Sequence, residues 1–93
     1  MLSLDEISHL DTPSEAIEEL DLFIPACRPD VDAEELHQAL MLRGKLLWRV
    51  ARRAEAIADY RRALAIRPDG PARAALEIAN DIFAFHHSDL LNP

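Results

Sequence analysis

HQALMLRGKLLWRVARRAEAIADYRRALAIRPDG, residues 37–70, reads as two helical segments closed by a Pro-Asp-Gly turn. Leu40, Gly44 and Leu47 recur at helical spacing in the first segment, as do Ala56, Tyr60 and Ala63 in the second. Gly44 and Ala56 are small where two helices would cross closely, because a side chain larger than a methyl would push the backbones apart. Tyr60 is suited to fill the space between the helices, and Ala63 to admit the element that follows. Pro68 cannot continue a helix, so the chain turns through Asp69 and Gly70. The stretch predicts a helix hairpin.

Outward from this hairpin, helix starts are marked three times. Ser3-Leu-Asp-Glu6, Thr12-Pro-Ser-Glu15 and Asp32-Ala-Glu-Glu35 each set a capping side chain three residues before a Glu. Pro13 stands at a first helical position, where its missing N–H costs nothing. Pro25 and Pro29 predict the end of the second helix, and Pro68-Asp-Gly-Pro71 separates the fourth from the fifth. The expected order is a short helix near 3–10, then helices near 13–25, 32–51, 53–67 and 71–87. No sustained period-two alternation is present and the glycines are Gly44 and Gly70, so the expected class is all-α. At 93 residues the chain is expected to form one domain over 1–93.

Residues 37–70 resemble one unit of the tetratricopeptide-repeat family, whose pattern has a large residue, Gly, an aromatic, Ala, an aromatic, Ala and Pro at the positions of Leu40, Gly44, Leu47, Ala56, Tyr60, Ala63 and Pro68. Three positions depart from it: Leu40 replaces an aromatic, Arg43 an apolar residue, and Ala51 a common turn Gly. The resemblance implies an antiparallel helix-turn-helix array of about five helices. Residues 32–70 would be the matched unit, 1–31 a degenerate earlier repeat and 71–93 a capping helix and tail. Glu15-Ala16-Ile17 recurs as Glu55-Ala56-Ile57, which would give Ala16, Leu20 and Phe23 the packing roles of Ala56, Tyr60 and Ala63. The chain also resembles very small bacterial proteins of this repeat type. The family implies a non-catalytic protein-interaction module, and units of this kind need neighbours to bury both of their faces.

Charge is distributed unevenly. Residues 1–39 carry eleven acids against Arg28 alone, whereas residues 40–93 carry nine bases and six acids, for a formal net charge of −7. A hydrophobic content of 49% is too high for a disordered chain. No run of about 20 apolar residues is present, and the N-terminus lacks the basic and apolar regions of a signal peptide. With Cys27 as the single cysteine, neither an internal disulfide nor a cysteine-based metal site is expected. These features predict a cytoplasmic protein with no membrane partner.

The third helix should bury Leu36, Ala39, Leu40, Leu46, Leu47 and Val50. Opposite them Glu34, Gln38, Met41, Lys45, Trp48 and Arg52 fall four, three, four, three and four apart, along one side of the helix. The family resemblance places Gln38, Met41, Lys45, Trp48 and Arg49 at positions that face a ligand, an unidentified peptide or partner protein. Trp48 would supply contact area and the bases would pair with carboxylates. The alternative is that Trp48 packs on the N-terminal helices. The fifth helix carries an apolar excess, and Ile78, Ile82 and Phe85 are candidates for homodimer formation unless the N-terminal helices or Leu90-Leu91 cover them.

Catalytic chemistry is not indicated. His86 and His87 are adjacent and point in different directions on a helix, and His9 and His37 have no cluster of ligands near them in sequence. Lone histidines of this kind are expected at the surface or in caps. With no Gly-rich phosphate loop, neither a nucleotide cofactor nor an enzyme is expected. The seven bases between Arg43 and Arg62 spread around two helices, and the net negative charge opposes nucleic-acid binding.

Overall fold

The computed structural model describes the backbone of residues 1–91 and the side chains of residues 1–82. Its helices are α1 (Leu4–Ser8), α2 (Pro13–Ala26), α3 (Ala33–Arg49), α4 (Arg53–Ile66) and α5 (Ala72–Leu91). Among the described residues there is no strand, and the fold is the expected all-α array.

Two of the three predicted caps form. Ser3 Oγ accepts the Glu6 backbone N–H at 3.2 Å, and Glu6 Oε1 accepts the Ser3 backbone N–H at 3.0 Å. The backbone hydrogen bond from Ser3 holds the Glu6 carboxyl below its ordinary value. Thr12 Oγ1 accepts the Glu15 backbone N–H at 3.3 Å. Asp32 departs from the prediction, because its carboxylate turns back to accept the Arg28 backbone N–H at 3.0 Å and makes no bond to the start of α3. The Asp32 N–H also donates to the Arg28 carbonyl at 2.7 Å, so this residue closes the loop between α2 and α3.

Pro25 was expected to end α2, yet it lies within the helix, which stops one residue later at Ala26. A proline this near the end removes a single hydrogen bond, whereas Pro29 disfavours helical backbone at the residue before it. Cys27, already extended, lies between them. Burial pushes the Cys27 thiol up, and the Asp32 and Glu35 carboxylates act in the same direction.

The α3–α4 connection explains the departure at Ala51. The Arg52 N–H donates to the Leu47 carbonyl at 2.9 Å and the Ala51 N–H to the Trp48 carbonyl at 3.1 Å, the pairing that closes a helix when the intervening residue is left-handed. Ala51 takes φ 65°, a conformation that costs a residue with a Cβ about 1–2 kcal/mol. The second turn does not need such backbone: no glycine of the chain has positive φ, so Gly70 serves close approach, with a Cβ there 3.3 Å from both Cβ and O of Arg67.

Helix α3 is central. It packs on α4 and α2, α5 packs on α4, and α1 rests on α2 and α3. Leu36, Ala39, Leu40, Leu46 and Leu47 are buried as predicted, together with Ala16 and Leu20 of α2 and Ala56, Tyr60 and Ala63 of α4. Ile7 anchors the short α1 and is 1% exposed. The molecule measures 47 × 30 × 17 Å, a thin slab of helices. No helix among the described residues is long and apolar enough to cross a membrane.

Candidate interaction groove

The groove begins at the crossing of α3 and α4. A Cβ on Gly44 would lie 2.6 Å from Cε1 and 2.9 Å from Cδ1 of Tyr60, so the tyrosine ring rests directly on the α3 backbone. Burial, with a smaller contribution from Asp59, pushes the Tyr60 phenol up. One turn further along α3, Trp48 stands beside this ring. Trp48 is half-buried, and the Arg53 guanidinium lies 5.0 Å from the centre of its ring, within cation–π range. Trp48 thus lines the side of α3 that meets α4 and α5.

Across from it, α5 brings Ala75, Ile78, Ala79 and Ile82 to the same space. These four residues, with Trp48 and Tyr60, line an open groove of about 180 Å³. Ile78 is 61% exposed and Ile82 36%. The sequence presented Trp48 and the Ile78–Ile82 pair as members of two separate candidate surfaces, and the fold joins them in one. Phe85, the third member of the α5 set, lies outside the described side chains, as do Leu90 and Leu91.

The remaining α3 candidates divide. Gln38, Lys45 and Arg49 are exposed, but Met41 is only 8% exposed and belongs to the core. Met41 sits between Gln38 and Lys45 in the sequence stripe, yet on the helix it falls closer to the Gly44 side that meets α4. Gln38 is tied to Glu34 by a hydrogen bond of 3.2 Å and lines a shallow depression with Leu4, Asp5, Ser8 and Leu42, away from Trp48. Lys45 and Arg49 thus remain as the polar edge near Trp48. Neither makes an ion pair among the described residues.

A second, polar depression of about 410 Å³ lies among α2, α3 and α4 around Arg43. Arg43 Nε and Nη2 donate to the two Asp59 oxygens at 2.7 and 2.8 Å, and Nη1 donates to Asp21 at 2.9 Å. The hydrogen bonds from Arg43 to Asp59 hold the guanidinium firmly charged, raised above its usual value. Arg43 pairs with Asp21 and Asp59, and Arg52 with Glu55, which makes Arg43 a clamp between three helices. Arg43, an oddity in the sequence pattern, is explained by the charged partner that α4 offers it.

Two histidines show opposite fates. His9 Nδ1 lies 2.7 Å from the Asp5 carbonyl and finishes α1 as a cap, as expected of a lone surface histidine. His37 is buried, 3% exposed, and neither ring nitrogen has a hydrogen-bond partner among the described residues. The groove residues that sequence reasoning did not single out are Tyr60, read there as filling the space between the two helices of the hairpin, and Ala75 and Ala79, part of the apolar excess of the fifth helix. The signal that could have found them is the α5 register, which repeats small residues at Ala72, Ala75 and Ala79 on the side that approaches α4.

Comparison of the chain with family models, with curated proteins and with solved structures finds no match.

Proposed function

We propose that this chain is a tetratricopeptide-like, non-catalytic protein-interaction module whose binding face is the groove between α3 and α5. One observation carries the reading: Trp48, Ile78 and Ile82 converge on one open apolar groove, and two of the three stand substantially in water. An aromatic anchor with aliphatic neighbours and exposed cations near it is the composition of a protein-binding site. The close α3–α4 crossing at Gly44 and Tyr60 and the full burial of Ala56 and Ala63 support the family resemblance. A cytoplasmic location accords with a single unpaired cysteine.

Affinity capture from a lysate of the source cell tests the proposal, with the wild-type chain compared with an Ile78→Asp, Trp48→Ala variant shown by circular dichroism to be folded. The expected result is a protein retained by the wild type and lost by the variant. Equal recovery of every protein by both forms would remove the groove as the binding face. The exposure of Ile78 equally favours a second reading, in which the module associates with itself through α5.

A further inference from the structure

The groove has two edges of opposite charge. By helical register, Lys45 and Arg49 fall on the side of Trp48 away from α4, and Glu77 and Asp81 on the side of Ile78 away from α4. All four are exposed, and none makes an ion pair among the described residues. Other charges nearby are already engaged: Glu34 holds Arg67, Arg52 holds Glu55, and Arg53 covers Trp48. Arg73, a base on α5, falls a turn before Glu77 and short of the Ile78–Ile82 stripe.

A surface with an apolar floor, one basic edge and one acidic edge is complementary to itself. Two copies can stack such a face in two ways about a two-fold axis. An axis across the helices sets α3 over α3 and α5 over α5, opposing like charges. An axis along the helices sets α5 of each copy over α3 of the other, so that each acidic edge meets a basic one. The ligand chemistry the groove calls for, an aliphatic stripe flanked by carboxylates, is the chemistry of α5 itself.

We propose that the occupant of the groove is a second copy of this chain, docked with α5 of each copy over α3 of the other. Ile78 and Ile82 then enter the apolar space beside the other copy's Trp48, while Glu77 and Asp81 approach Lys45 and Arg49 across the axis. The proposal rests on the reading of the α3–α5 groove as the interaction face and adds the identity of its partner.

The test is a charge swap read by sedimentation equilibrium. Lys45→Glu, Arg49→Glu forms one variant and Glu77→Lys, Asp81→Lys the other; all four positions are exposed, and folding is verified by circular dichroism. The expected results are a dimeric wild type, each variant weakened in self-association by about tenfold or more, and a heterodimer restored when the two variants are mixed. A monomeric wild type at high concentration, a dimer indifferent to both variants, or a mixture that stays monomeric would each overturn the proposal. A monomer whose captured partner is still lost with Ile78→Asp, Trp48→Ala would overturn the second copy alone. A monomer with no such loss would take the groove reading with it.

Discussion

At the scale of single residues, Gly44 and His37 show how little spare room the hairpin has. Gly44 has no side chain because the Tyr60 ring occupies the place where one would go. Gly44→Ala is expected to lower stability by about 1–3 kcal/mol through overpacking. Tyr60→Leu in the same background should return part of the loss, and urea denaturation of the single and double variants measures both. His37 is the opposite case, a buried ring with two unsatisfied nitrogens. Replacing it with Leu removes polar atoms that lost their water on folding without gaining a partner, so His37→Leu should raise stability by about 1 kcal/mol. A lowered denaturation midpoint would show that the ring has a use which its neighbours do not reveal. Neither its burial nor its lack of partners was legible in sequence, because a lone histidine among the polar residues near the start of an amphipathic helix reads as solvated.

At the scale of elements, the helices were legible because punctuation and periodicity agreed: capping residues before Glu, prolines at the ends, and small residues at the crossing. The errors arose where a residue had two local options. Asp32 could cap α3 or close the preceding loop, and its carboxylate went to Arg28. Pro25 could end α2 or lie in its last turn, and the helix runs one residue past it to Ala26. The Arg43 clamp was not legible, since its partners stand 22 residues before it and 16 after it. Arg43→Met should leave Asp59, whose side chain is 5% exposed, as an uncompensated buried charge and cost about 3–5 kcal/mol. The double variant Arg43→Met, Asp59→Leu should recover most of that loss in thermal denaturation. If it does not, the α2–α4 spacing depends on the ions themselves. The groove was half legible: the α3 stripe gave Trp48 and its bases, and the α5 pattern gave Ile78 and Ile82. What sequence could not supply was the packing of α4 and α5 against α3, which turns two surfaces into one and covers Met41.

At the scale of the whole molecule, the helices join chiefly to their neighbours in the chain, from α2 to α3, α3 to α4 and α4 to α5, with α1 laid against the first two of these. Among the described residues such an arrangement is joined mainly by neighbours in the chain, and its folding requires few long loops to be drawn together. Collapse should therefore be fast and begin at the α3–α4 hairpin, the most extensively packed pair of helices among the described residues. The same connectivity lets either end come away while the middle holds. Amide hydrogen exchange is expected to be slowest in α3 and α4, faster in α2, and fastest in α1 and along α5. The element that would carry the acidic edge of the groove is thus among the first to detach, and anything bound across α3 and α5 would act as a clasp on an element that the fold itself secures chiefly through α4.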